Sequence, residues 1–360
     1  MTTTQGTGRA QVRGGLVRPG IAAAQPPVVE LDPRTAYDFL ASACEECGEL
    51  DDLLPEDRRW LKENREDLKA LPGREDWAGA CSGLLLQAGA ILVGHAEIRT
   101  ARALVAAIDA LSDRELTELT LGELLEEPEF SAVTHRALEG DDSAYAELRT
   151  KLEAHKGEAI LPERIAALAP AARRAAHFWL PRYEPLEIRT GRMLERDAER
   201  LRTADSAGDP IGFIEHATAG VRLIPEPGIR RVVLAPTYFG RPYNSLTRVG
   251  EATLIYYPIA DTSLDSADRL TPPNSAVRLY RALGDESRLR ILKLLAERDR
   301  YLTEIAHELE LSKPTINHHL AVLRAAGLVT VTEQGTMMYY NLRRDRADEA
   351  GVELRAFLAH

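Results

Sequence analysis

Lys313, Thr315, Asn317 and His318 are the residues of this 360-residue chain whose types and spacing best suit a chemical task. A cation, a hydroxyl, an amide and an imidazole fall within six positions, a set able to hydrogen-bond base edges and to neutralise phosphate. Asn317 can pair bidentately with an adenine edge, and Lys313 and His318 suit base edges or phosphates. Ser312 and Thr315 suit the backbone instead. The competing reading of the same residues is an unused exposed helix face.

The surrounding residues form the elements that would aim this set. Ser312 suits an N-cap and Pro314 sits in the first turn, where a missing amide removes no hydrogen bond. Ile316, Leu320 and Leu323 recur at helical spacing and make an inward face, which directs Lys313, Thr315, Asn317 and His318 outward. An earlier periodic segment, Leu302, Ile305, Ala306 and Leu309, ends near Glu310, so two helices meet across a very short turn. Gly327 can end the second helix, after which Leu328 to Thr332 and Met337 to Leu342 alternate as two strands around Glu333-Gln334-Gly335-Thr336. A helix-turn-helix followed by a hairpin is a winged helix.

Three ordered motifs resemble the arsenic-repressor-like (ArsR/SmtB) winged-helix transcription regulators: Arg281 to Leu292 (RALGDESRLRIL), Leu311 to Val329 (LSKPTINHHLAVLRAAGLV) and Tyr339 to Leu342 (YYNL). The resemblance covers about the last quarter of the chain. It implies a DNA-binding regulator that is usually a homodimer, built by the first and last helices of this domain. The candidate DNA-contacting set is then Ser312, Lys313, Thr315, Asn317, His318, Arg324 and Arg343. Arg288 and Arg290 on the supporting helix suit phosphate contacts or structural salt bridges equally. His319, beside Leu320, reads as a packed histidine. The wing departs from the family: a basic tip is common there, whereas this chain offers Gln334, Gly335 and Thr336, which argues against minor-groove insertion by an arginine.

The chain carries a formal net charge of −11, at first sight a poor match to nucleic acid. The charge is unevenly divided. From Asn274 onward there are 13 Lys and Arg against 12 Asp and Glu, so that part is near neutral and the acid lies upstream. Local phosphate neutralisation, not whole-chain charge, sets affinity, so modest nonspecific binding is expected. A hydrophobic content of 44% supports two or three packed domains. Three cysteines make no disulfide framework, no secretory signal stands at the start, and the longest apolar run, Leu84 to Gly94, is too short to span a bilayer. The expectation is a cytoplasmic protein without membrane contact.

The fold class expected is mainly α: a helical N-terminal domain with a small antiparallel sheet, then a C-terminal winged helix-turn-helix. Residues 1–27 read as a disordered basic tail, 28–264 as the helical domain, 265–273 as a linker and 274–360 as the winged helix. Val28 to Leu31 is a short extended piece. Tyr37, Leu40, Cys44 and Cys47, then Trp77, Cys81, Leu84, Ala88 and Ile91, step at helical spacing. Pro170, Pro181 and Pro185 should break or kink the segment through His177, Trp179 and Tyr183. Val221 to Ile224, Arg230 to Ala235 and Glu251 to Tyr257 read as strands. Asn274 or Ser275 and then Asp285 suit helix caps, and Ala347, Ala350, Leu354 and Phe357 form a final apolar stripe.

Other candidate chemistry is thinner. Cys44-Glu-Glu-Cys47 has the spacing of a metal or redox pair, but both sulfurs fall on an apolar stripe and no second pair completes four ligands, so core packing is favoured. Asp348, Glu349, Glu353 and His360 are scattered carboxylates with one terminal histidine, and no metal or cofactor is expected. The loop holding Tyr238, Phe239, Arg241 and Tyr243 suits either a grip on an anionic or planar ligand or, the favoured reading, a structural turn. His95, His135, His155, His177 and His216 show no catalytic spacing. The reading is a non-enzymatic homodimeric regulator of double-stranded DNA whose upstream domain senses a small-molecule effector or strengthens the dimer. The alternative is an enzyme with an appended DNA-binding module.

Overall fold

The computed structural model describes residues 26–44, 48–70, 84–126, 129–156, 161–203, 209–226, 228–265, 272–334 and 337–358. All but residues 26 and 27 of the tail expected over 1–27, and most of the linker expected over 265–273, lie outside these residues.

β1 (Val28–Leu31) leads directly into α1 (Thr35–Ala43), then α2 (Pro55–Ala70), α3 (Gly89–Gly94), α4 (Ala101–Ala110), α5 (Asp113–Glu126), α6 (Ser131–Leu138) and α7 (Asp142–Lys156). α8 (Leu168–Thr203) is a single 36-residue helix. The expected proline breaks do not occur. Pro170 lies in its first turn, where the amide has no helical partner anyway. Pro181 and Pro185 each remove an interior hydrogen bond, but Trp179, just before them, and Tyr183, between them, are fully buried, and that packing keeps the helix continuous.

α9 (Pro210–Ala217) precedes β2 (Arg231–Thr237), β3 (Ser245–Val249) and β4 (Ala252–Pro258). The expected antiparallel sheet is instead mixed. Its order is β1-β2-β4-β3, with β1 and β4 both parallel to β2 and only β3 antiparallel to β4. The physical reason is that both faces are covered. Val233, Ala235, Leu254 and Tyr256 join the core of α1, α4 and α8, while Val232, Leu234, Ile255 and Tyr257 pack against Leu201, Ile214 and Ala217. Strands buried on both sides run continuously apolar and accept parallel pairing. Val221 to Ile224 is no strand: Val221 and Leu223 pack onto the outer sheet cluster while Ile224 is exposed, so the alternation covers the sheet without extending it.

Buried carboxylates tie the helices to the strand ends. Asp38 is fully buried in α1, where Oδ1 accepts from the amides of Tyr238 and Phe239 and Oδ2 from the Tyr183 hydroxyl. Asp57 accepts from the Tyr238 hydroxyl at 2.7 Å and pairs with Arg189. Asp197 accepts from the Ala260 amide and the Ser263 hydroxyl. The Tyr238 to Tyr243 loop packs as a turn: Tyr238 and Phe239 are buried, and the buried Arg241 pairs through Nη2 with Asp261, while its Nε and Nη1 have no hydrogen-bond partner among the described residues. Cys44 is buried as packing requires, yet its sulfur lies in a disulfide, which the expected cytoplasmic setting does not favour; Cys47 and Cys81 lie outside the described residues.

α10 (Asn274–Leu283), α11 (Glu286–Glu297), the short β5 (Arg300–Tyr301), α12 (Leu302–Leu309), α13 (Lys313–Ala325), β6 (Val329–Gln334), β7 (Met337–Leu342) and α14 (Arg344–Leu358) complete the chain. Leu279, Ile291, Ile305, Ile316, Leu320, Leu323, Leu328 and Tyr340 belong to a separate apolar cluster.

Candidate nucleic-acid interface

Asp285 caps α11 as its sequence position implies, accepting from the Arg288 amide at 2.9 Å, and this hydrogen bond holds its carboxyl below the ordinary range. Arg288 is turned inward on the preceding turn, donating to the carbonyls of Ala282 and Arg281, while Arg290 stays exposed. Of the two, only Arg290 keeps an open surface for phosphate.

Three residues join α12 to α13, and Glu310 among them is left-handed at φ 56°. That conformation reverses the chain at once, and the Leu311 amide closes the turn onto the Ala306 carbonyl at 3.1 Å. Ser312 then caps α13. Its hydroxyl accepts from the Thr315 amide at 3.3 Å and shares a hydrogen bond of 2.7 Å with the Thr315 hydroxyl.

Ile316, Leu320 and Leu323 are buried, which fixes the rotation of α13 and leaves Lys313, Thr315, Asn317 and His318 exposed. Four polar side chains therefore crowd the amino-terminal half of the helix. The unpaired amides of that end add positive potential for an anion. His319 is half-buried as expected of a packed residue, with Nδ1 3.9 Å from Asp285 Oδ1, beyond hydrogen-bond reach.

Gly327, at φ +71°, ends the helix segment and admits the turn into the wing. β6 and β7 pair antiparallel from Val329↔Leu342 to Gln334↔Met337, and β5 adds a third strand through Arg300↔Tyr340. Residues 335 and 336, on which the non-basic wing tip was expected, lie outside the described residues, and nothing is described of the Gln334 side chain. Arg324 is exposed at the far end of α13. Arg343 stands apart from the α13 set: its Cδ would lie 3.2 Å from a Cβ built at Gly220, so it rests against the upstream region.

The structure thus groups Ser312, Lys313, Thr315, Asn317 and His318 and separates Arg343 from them. What sequence reasoning did not find are the carboxylates that meet this unit from outside. Asp52 pairs with Arg278 on α10, Asp51 lies 3.6 Å from Arg281, and Asp261 accepts from the Ser275 amide at 2.6 Å. Asp261 takes the role expected of a side chain of Asn274 or Ser275 at the start of α10. No local sequence signal exposes a cap supplied by a different segment.

Two helices crossing at a three-residue turn, with an exposed polar amino end on the second and a hairpin behind it, define a DNA-binding winged helix. The chain belongs to the arsR family of bacterial regulatory proteins, whose model matches residues 285–331. It is 43% identical over 75 residues to an uncharacterized HTH-type transcriptional regulator of Methanocaldococcus jannaschii, covering 21% of this chain and 84% of that protein. An arsenic resistance transcriptional regulator of Pseudomonas putida is 40% identical over 20% of this chain and 55% of its own length. The transcriptional repressor SdpR of Bacillus subtilis is 36% identical over 18% of this chain and 71% of its own. The likeness is thus confined to about a fifth of this chain, and it spans little more than half of the Pseudomonas relative.

Proposed function

We propose that the protein is a homodimeric transcription regulator that reads a pseudo-palindromic operator through α13. The exposure of Lys313, Thr315, Asn317 and His318 in the amino-terminal half of α13, with Ser312 fixing its first turn, carries this reading. Two-fold symmetry would set half-sites about one helical turn apart, roughly 34 to 36 Å.

A second copy of the chain is the proposed occupant of the apolar face formed by α10 and α14. Pro272, Ala276, Val277, Tyr280, Leu354 and Phe357, with the cation Arg281, line a groove there of about 300 Å³. Tyr280, Val352, Leu354 and Leu358 beside it are exposed large apolar side chains. Such a face is a recognised sign of association.

The upstream region is assigned effector sensing, on the size of its own packed cores and its contacts with the winged helix. The setting proposed is the cytoplasm; no described helix is long and apolar enough to cross a membrane.

Selection of bound genomic fragments by the full chain tests the reading. Enrichment of one inverted repeat is expected. Failure of every duplex to bind at low ionic strength would overturn it. A ligand thermal-shift screen on the same protein, followed by operator titration with each hit, tests sensing.

A further inference from the structure

The upstream region grips the winged helix at two separated places. At the first, Asp51 and Asp52 end a short 3₁₀ turn that faces α10. Asp52 is only 3% exposed and its carboxylate is paired with Arg278, itself 21% exposed; Asp51 and Arg281 are a wetter pair at 3.6 Å. Asp261, anchored by the buried Arg241, accepts from the Ser275 amide on the same helix.

At the second, the turn Thr218 to Gly220 abuts the base of the wing. Gly220 has φ +126°, and a Cβ there would lie 2.9 Å from Thr330 Cγ2 and 3.2 Å from Arg343 Cδ. Only a glycine allows so close an approach. A Cβ built at Gly327 would also sit 3.7 Å from the Ala219 carbonyl oxygen.

The first contact engages two cations of a domain that has few to spare, and the second sets Arg343 against a backbone turn. The region from Asn274 onward holds 13 Lys and Arg against 12 acids, so its attraction for a polyanion rests on local arginines. Arg278 and Arg281 face carboxylates and Arg343 faces Gly220. The remainder of the chain, strongly acidic, is thereby held against the reading unit.

We propose that the upstream region is an electrostatic clamp that competes with the DNA backbone for the arginines of the winged helix, so that its release raises affinity. This rests on the DNA-binding reading above. Phosphate and the Asp51–Asp52 pair are rival anions for the same cations, so opening the clamp adds phosphate contacts and removes nearby negative charge. A ligand or covalent change that loosens the 3₁₀ turn would act as an inducer of binding.

The test measures binding of full-length protein to a labelled duplex by anisotropy across a salt series. The probes are wild type, Asp51→Asn, the double variant Asp51→Asn with Asp52→Asn, and the charge swap Asp52→Arg with Arg278→Asp. The double variant should bind roughly tenfold tighter, with a log-affinity against log-salt slope steeper by about 1 to 2, near 0.9 for each phosphate gained. The swap should restore the wild-type slope.

Because Asp52 is buried, its replacement can unfold the region, which circular dichroism reports. The exposed Asp51→Asn then stands alone, with a steepening of about 1 that Arg281→Ala in the same chain abolishes. A folded double variant, or a folded Asp51→Asn, with the wild-type affinity and slope would overturn the clamp while leaving DNA binding intact. No binding by any variant at low salt would instead overturn the DNA-binding reading beneath it.

Discussion

Asp38 in α1 accepts from two successive backbone amides, those of Tyr238 at 2.7 Å and Phe239 at 2.9 Å, across 200 residues of sequence. The relationship joins the first helix to the end of β2 and fixes the turn from which Arg241 reaches Asp261. Asp38 is fully buried, and desolvation pushes its carboxyl up to about 6 despite those amides and the Tyr183 hydroxyl.

A pH dependence follows from that shift. Folded Asp38 holds its proton up to about pH 6, whereas the unfolded side chain loses it near 3.8, so between these values the native state binds the extra proton. Its contribution is largest below about pH 4 and is lost as pH rises through 6, by about 3 kcal/mol in all. Asp38→Asn keeps an acceptor for the amides and cannot titrate. Urea midpoints from pH 4 to 7 should show wild type losing stability relative to the variant; parallel curves would refute the shift.

Ser312→Ala removes the only side chain seen accepting from the first turn of α13 among the described residues. A loss of about 1 kcal/mol is expected. Guanidinium unfolding measures it, and a change below about 0.3 kcal/mol would show that Pro314 and packing alone set this helix start.

Asn317→Ala and His318→Ala should flatten base preference by about 1 to 3 kcal/mol at the positions they read. Lys313→Ala should weaken all duplexes alike and reduce the salt slope by about 1. Binding to a randomised operator library distinguishes the two effects. Retention of both affinity and preference in all three variants would remove α13 as the reading helix.

Val277→Lys places a second cation beside Arg281 in the groove of α10 and α14, where Leu354 and Phe357 also lie. Sedimentation equilibrium should show monomer replacing dimer, because an unpaired charge in an apolar interface is strongly disfavoured. An unchanged dimer would locate the symmetric contact elsewhere.

The winged helix was legible because its signals are local. Ser312 and Asp285 cap their own helices, Ile316, Leu320 and Leu323 define one face, and Gly327 ends the segment, so residues a few places apart decide the geometry. The upstream architecture depends on distant partners. Val232 to Ala235 and Leu254 to Tyr257 are continuous apolar runs of the kind that parallel strands need, but their pairing with each other and with Val28 to Leu31 is decided by helices on both faces. The proline-bearing α8 stays whole for the same reason, since burial of Trp179 and Tyr183 outweighs a local breaker. Arg343 reads as basic at a wing base, and only the turn at Gly220 reveals what it rests against.

The parallel register of Val28 with Arg231 and Leu31 with Leu234 carries a consequence for biosynthesis. The opening strand of the chain waits at the ribosome until about 200 further residues have been made before its ladder partner exists. The intervening helices must therefore gather first, and a nascent chain arrested before residue 231 would leave the part of α1 that β2 covers open to whatever chaperone meets it.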